Sequence, residues 1–478
     1  MANFCEVESA LNLHYKKKSS PNQDAGLVYK NGYVFLSSLT LYVPESIDID
    51  KILLDNPPIF NYSRDVFVYI VHLVTSIPAR KRDILDKHDG YTSINRKILQ
   101  KRVHGYKKYI EYLKQQGILI ERNVYSPGNY SMGLKISDKY GSKLKPIEIT
   151  KWTLIKSIKY LHQTFNVEKT DELSYLKNWF NSNLEIDLNN GVAFLEKLYN
   201  EEISNPDITD ERLRYNCRIL PLQKLHQGDY AFHVDDTGFR LHTNFTQLMS
   251  PLRKVIKYDG KTLCAIDIKN SQLYLSIGLL DSEIFLNNSM GELIINPKLL
   301  TTNNYPIMVV KKIKEIENES DVVKFKKYVQ KGVFYEYFGD VLVENGFLKN
   351  LPKDKLRKKA KEIVFSSVYS PNSSIGYKES IKIFKALFPN VYKIFSLIKT
   401  GKGNHPALSI CLQRFEAKLV LNKACKIISI IRPNIVIYTL HDSIITTEDN
   451  VEFVKGVLKN VLKKTIGVNP PLKIERWE

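Results

Sequence analysis

Cysteine is scarce in this 478-residue chain, and the five at positions 5, 217, 264, 411 and 425 include no C-x-x-C pair. That scatter argues against a zinc ribbon or a disulfide framework and fits thiols buried in a reducing cytoplasm. Long hydrophobic runs are missing too: nothing approaches the roughly 18 consecutive apolar residues of a membrane span. The start, MANFCEVESALNLHYKKK, has no apolar segment after a basic one, so the expectation is a soluble, cytoplasmic protein with no membrane partner. There is no glycine-rich phosphate loop, no G-x-S-x-G and no H-E-x-x-H, which removes the commonest NTPase, serine-hydrolase and metalloprotease signatures. No tandem repeat stands out. His104, His162, His226 and His242 are isolated, without metal-ligand spacing. Acidic residues are outnumbered, 51 against 70 Lys and Arg, for a net charge of +19. A chain so basic, with 11% aromatic residues, favours nucleic acid as its partner.

Hydrophobic residues make up 43% of the sequence, enough for two or three cores. Three textures divide it. Residues 1–145 hold strand-like runs (GLVYKNGYVFLSSLTLYV), an apolar helix-like run (DVFVYIVHLVTSI), and a segment in which Ile98, Val103, Tyr106, Ile110 and Leu113 recur at helical spacing. Gly117 then stops the helix, and two strand-like pieces flank the turn SPGN. Helix followed by hairpin is the winged-helix pattern, with Lys97, Lys101, Arg102, Lys107 and Lys108 forming a basic face for duplex phosphates; a solvated helix on an ordinary α+β domain is the other reading. Residues 146–225 read as a helical connector or thumb-like element, and residues 226–478 alternate strands and helices.

The chemistry is concentrated in that last part. Arg357, Lys361, Phe365 and Tyr369 recur every fourth residue in RKKAKEIVFSSVY. On a helix, steps of four advance about 6 Å and drift about 40°, so the four side chains share a stripe roughly 18 Å long. That is about the length of a nucleoside triphosphate, with cations at one end for phosphates and rings at the other for base and sugar. On either side, Asp267 ends the apolar run LCAI and precedes the helix-like NSQLYLSIGLL, and Asp442 sits between the strand-like NIVIYTL and IITTE, at the tip of an expected hairpin. Two strand-end aspartates at one sheet edge are an economical site for a pair of Mg²⁺ ions about 4 Å apart.

These three segments resemble motifs A, B and C of the family A DNA polymerases and their relatives, the single-subunit phage and mitochondrial RNA polymerases. The likeness covers residues 230–450, and the family pattern R-x3-K-x3-(F or M)-x3-Y is matched at all four positions. It implies an α+β right-hand palm and fingers behind an N-terminal winged-helix-like domain, acting as a template-directed DNA polymerase. Asp267 and Asp442, with the Ile268 carbonyl, would hold two Mg²⁺, with Mn²⁺ as substitute. Arg357 and Lys361 would bind the triphosphate, Phe365 would pack on the incoming nucleotide, and Tyr369 would stack at the templating position. TGFRLHTNFTQL resembles T-G-R-x-S with one residue inserted, making Arg240 a primer contact; CLQRFEAKL resembles Q-G-x-A-A-D, giving Gln413 a similar role; and His441 would touch the primer backbone. The chain departs from D-Y-S-Q-I-E by two extra residues between Asp267 and Ser271-Gln272. Aligning Ser-Gln puts Tyr274 where the family's glutamate excludes a ribose 2′-hydroxyl, as a bulky gate. Tyr274 and Phe365 favour deoxynucleotides; Ser443, where DNA enzymes carry glutamate, favours ribonucleotides. No D-x-E opens an early strand, so no proofreading exonuclease is expected. Primer, template, nucleoside triphosphates and replication accessory proteins are the implied partners, in phage or mobile-element replication. An RNA polymerase or primase, and a non-catalytic DNA-binding initiator, are the alternatives.

Overall fold

The structure, a computed structural model, describes residues 27–30, 33–36, 38–80, 90–122, 133–163, 172–208, 210–290, 293, 305–401 and 403–478. The chain forms two compact units: residues 1–165 with 192–221, and residues 166–191 with 222–478.

In the first unit β1 (Leu39–Pro44) leads to α1 (Arg64–Arg80), β2 (Thr92–Ser93), α2 (Arg96–Arg102), α3 (Tyr106–Gln115), β3 (Leu119–Arg122), β4 (Gly133–Ile136) and β5 (Leu144–Ile149). The strands make a three-stranded sheet in the order β2-β4-β3, and β1 pairs with β5. α1 is the apolar run DVFVYIVHLVTSI, buried along most of its length because Phe67, Val71 and Val74 meet α3 and the sheet. Phe67 lies 4.8 Å from Tyr109 and 5.0 Å from Tyr112, centroid to centroid. Such aromatic pairs contribute about 0.5–1.5 kcal/mol beyond their buried area. Asn95 caps α2 by accepting from the Lys97 and Ile98 amides. After α3, Gly117 takes φ 68°, a left-handed stop that glycine adopts without steric cost. The expected turn SPGN lies outside the described residues.

The second unit is built on a six-stranded antiparallel sheet. Its strands are β6 (Leu184–Ile186), β9 (Ile256–Tyr258), β10 (Lys261–Ile268), β11 (Tyr438–Leu440), β12 (Ser443–Thr447) and β13 (Leu472–Arg476), in the order β11-β12-β10-β9-β6, with β13 also pairing with β10. A separate hairpin joins β7 (Phe232–Val234) to β8 (Leu241–Thr243). Asp259 at φ 50° and Gly260 at φ 71° form the two-residue link between β9 and β10. Asp-Gly is the pair that tolerates two positive φ angles in a tight hairpin. Helices follow as α4 (Ser271–Ser276), α5 (Tyr305–Ile316), α6 (Ser320–Gln330), α7 (Phe334–Glu344), α8 (Lys353–Tyr369), α9 (Glu379–Leu387), α10 (Pro389–Ile398), α11 (Ala407–Ala417) and α12 (Val451–Ile466). Phe325, Phe334, Phe338, Phe384 and Phe395, all fully buried, hold the helical part together. Each such side chain stabilises by about 1.5–3 kcal/mol through removal of apolar surface from water.

Candidate active site

β10 carries LCAI inward, with Leu263, Cys264, Ala265 and Ile266 all buried, and delivers Asp267 at its end. The β10–β12 register sets Asp267 opposite Ser443, and the Ser443 hydroxyl donates to Asp267 Oδ1 at 2.9 Å. Asp442 is the residue before Ser443, in the two-residue link His441-Asp442 between β11 and β12. His441 holds φ 55° there, an uncommon conformation for a non-glycine residue and of the kind that surrounding structure must enforce. Burial pushes the Asp267 carboxyl up, and the neighbouring Asp442 charge pushes it further. Two carboxylates that repel each other at a partly buried strand end are a pair a hard divalent cation would relieve. Among the described residues no three His, Cys, Asp or Glu side chains gather as a metal cluster. Asp267 and Asp442 would offer two carboxylates, a set that suits a cation keeping several of its waters. Ile268 is buried and paired with Leu472.

A second layer of polar groups adjoins this pair. Between β7 and β8 the chain turns tightly around Asp235, whose carboxylate accepts from the Thr237, Gly238 and Arg240 amides. Burial alone would raise that carboxyl, but hydrogen bonds from His242, Gly238 and Arg240 hold it well below the ordinary range. The extra residue in TGFR, Phe239, is absorbed here by a left-handed φ of 59°. Arg240 then reaches Glu416 with both ends of its fork, Nε to Oε1 at 2.8 Å and Nη2 to Oε2 at 2.9 Å. Gln272 Nε2 donates to the same carboxylate at 2.7 Å. Glu416 is 1% exposed. Burial pushes its carboxyl up to about 7 against the opposing pull of Arg240. Gln413, one turn earlier on α11, packs on Gly238, where an added Cβ would sit 2.6 Å from Gln413 Oε1. Only glycine fits. Burial, with the Arg240 charge beside it, drives the His441 imidazole down to about 4, so it is neutral near pH 7. Its ring lies 5.6 Å from that of His242.

α8 presents the expected stripe. Leu356, Ala360, Ile363, Val364, Ser367 and Val368 are buried on its other face. On the stripe, Arg357 sits 5.6 Å from the Tyr335 ring and donates to Glu336 at 2.8 Å. Lys361 lies 5.1 Å over Phe365, and Phe365 meets Tyr369 edge to face at 5.3 Å. Burial raises the Tyr369 hydroxyl, and the charges that act on it are Arg240 and Glu416. The ring end of the stripe therefore adjoins the Arg240–Glu416 pair. At the end of α8 the buried Lys399 ammonium, 3% exposed, donates to the Ser367 and Ser370 carbonyls at 2.6 and 3.1 Å.

Tyr274 departs from expectation. It is fully buried, and its hydroxyl donates to the Val468 carbonyl at 2.9 Å. The two extra residues after Ile268 form a turn with Asn270 at φ 54°, and α4 begins at Ser271. Gln272 then points to Glu416, and a residue two positions on lies about 200° around the helix, in the core. The gate expected of Tyr274 has no surface to act from.

In the first unit Lys101, Lys107 and Lys108 are exposed. Arg102 instead donates to the Tyr69 hydroxyl at 2.6 Å and is half-buried. Cys217, Cys264, Cys411 and Cys425 are buried thiols outside any disulfide; Cys5 lies outside the described residues. Glu416 and Lys399 are the residues that sequence reasoning passed over. Glu416 had a signal, a lone acid in the otherwise apolar helical spacing of Leu412, Phe415 and Leu419. Lys399 had none.

No family model matches this sequence, and no curated protein matches it. Among solved structures the chain is similar to the POL domain of Pol1 from M. smegmatis in complex with DNA primer-template and dNTP, at a TM-score of 0.38 and 10% identity, over 68% of this chain and 73% of that one.

Proposed function

We propose that the chain is a template-directed nucleotidyl transferase, a DNA polymerase that extends a primer 3′ end. The observation that carries this is the β10–β12 register: it pairs Asp267 with Ser443 and so brings Asp442, from 175 residues away in sequence, to the same strand end. Asp267 and Asp442, with the Ile268 carbonyl, would hold two Mg²⁺ or Mn²⁺ ions. When bound, such ions acidify the primer 3′-hydroxyl and neutralise phosphate charge.

The chain's own groups have separate tasks. Lys361 and Arg357 meet the triphosphate. The Arg357–Glu336 pair is about half exposed on both sides, and surface pairs contribute only about 0–1 kcal/mol, so phosphate can take the guanidinium at little cost. Phe365 and Tyr369 offer apolar faces to base and sugar. Arg240 and Gln413 border the primer terminus, and neutral His441 can donate to its backbone. Arg240 is positioned for this by Glu416. In the first unit, the order α1-β2-α2-α3-β3-β4 supports a winged-helix reading with Lys107 and Lys108 of α3, and Lys101 of α2, against duplex phosphates.

With Tyr274 in the core, the preference for deoxynucleotides rests on Phe365. Ser443 after Asp442 favours the second reading, a single-subunit RNA polymerase or primase. Labelled primer-template incubated with deoxynucleotides or ribonucleotides and Mg²⁺ separates them. Extension with deoxynucleotides that Asp442→Asn abolishes, with primer-template binding kept, supports the first reading. A variant that keeps a tenth of the activity removes Asp442 from the metal site, and product from ribonucleotides without primer supports the second reading.

A further inference from the structure

We propose that a lysine-walled cleft between α5 and α10 is a binding site for single-stranded nucleic acid, holding it by its phosphodiester backbone. The cleft has a volume of 900 Å³, and Lys311, Lys312, Glu315, Lys385, Lys393 and Met308 are among its walls. Four ammonium groups thus face one carboxylate. The carboxylate is already engaged: Glu315 accepts from Lys312 one turn away on α5. The Lys312 ammonium across the cleft lowers the Lys393 amine. Two like charges held this close repel unless an anion sits between them. Glu315 offsets part of that repulsion, and with four lysines against its single carboxylate a phosphate oxygen would offset the rest.

The shape of the surface favours a strand over a free phosphate. Ile307 and Met308 are 66% and 59% exposed. They precede Lys311 and Lys312 by four positions, one helical turn along the same face of α5. The helix therefore offers apolar surface and cation side by side, as a base and its phosphate require. The volume also exceeds what one phosphate needs. The helices concerned belong to the bundle that carries the Arg357–Tyr369 stripe, since α10 packs on α5 and α9 packs on α8. The strand is read as template ahead of the duplex, a clause that rests on the proposed polymerase function; the cleft itself does not.

Fluorescence anisotropy with a labelled oligopyrimidine of about 12 nucleotides, in EDTA and without nucleotide, tests this on the full chain. Lys312→Glu with Lys393→Glu is compared with Lys459→Glu with Lys463→Glu, which makes the same charge change on exposed positions of α12. The cleft pair is expected to weaken binding at least about tenfold and to lower the slope of log K against log salt by about 1 to 2; the α12 pair should leave both nearly unchanged. Equal losses in the two variants would reduce the cleft to a general field, and no loss would remove it. Pyrophosphate that binds the parent and not the cleft variant, with strand affinity unchanged, would make the ligand a free phosphate and overturn the proposal. Melting curves of both variants exclude misfolding, and Lys312→Ser with Lys393→Ser repeats the test without charge reversal. Primer extension run in parallel separates the two readings: a cleft that binds strand on a chain without activity sinks the polymerase and keeps the cleft.

Discussion

Replacing Asp267 by asparagine should strengthen the metal-free protein while destroying its chemistry. The Asp267 carboxyl is pushed up by burial and by the charge of Asp442. A carboxyl raised in the folded state contributes stability below its unfolded value and loses it as pH rises through the folded value. At neutral pH the ionised side chain is therefore a net cost. Asparagine removes the charge, keeps the shape, and can still accept from the Ser443 hydroxyl. Like charges about 4 Å apart at an effective dielectric near 20 repel by at most about 4 kcal/mol; allowing for water at this partly open strand end, the gain should be on the order of 1–2 kcal/mol. For a unit of this size that is a rise in melting temperature of about 2–4 °C. Thermal melts in EDTA at about pH 7.5 would show it, and the gap should narrow as pH falls through the raised Asp267 value, because the folded parent takes up this proton before the unfolded chain does. Adding Mg²⁺ should raise the parent's melting temperature and leave the variant's unchanged. Primer extension should fall by at least about a thousandfold, roughly 4 kcal/mol of barrier. A variant that melts lower than the parent in EDTA, or that keeps the Mg²⁺-dependent shift, refutes the reasoning.

Three further outcomes are expected. Lys361→Ala should raise the nucleotide Michaelis constant about tenfold or more, the loss of a charge-assisted phosphate contact, with duplex affinity unchanged; steady-state kinetics showing both constants intact would remove Lys361 from the triphosphate. Burial holds the Lys399 amine down at about 8, against 10.5 for an ordinary lysine, so the folded chain loses this proton before the unfolded one does. The parent should therefore gain stability relative to Lys399→Met as pH rises from about 8 to 10.5, by up to about 3 kcal/mol, and denaturant titrations with a constant difference across that window would sink the assignment. Lys107→Ala with Lys108→Ala should weaken binding to duplex without a primer end and reduce the salt slope by about 2; an unchanged slope in titration against salt would take α3 off the DNA.

Features that depend on neighbours in sequence were legible without coordinates. The spacing of Arg357, Lys361, Phe365 and Tyr369 sets a helical stripe by geometry alone, and α8 spans all four. The apolar run before Asp267 and the turn around Asp442 likewise set a strand and a hairpin tip. The helix after Ser271 was legible, but the direction of Tyr274 was not, because which face of α4 meets the core depends on where the inserted turn places the first residue. Glu416 and Lys399 were invisible as partners for the same kind of reason: Arg240 and Glu416 lie 176 positions apart and Lys399 lies 32 and 29 beyond the carbonyls it holds. Local periodicity fixes the element and the stripe each residue occupies. Which stripes meet, and so which charges repel, pair or wait for a ligand, is settled only when packing closes the long loops between them.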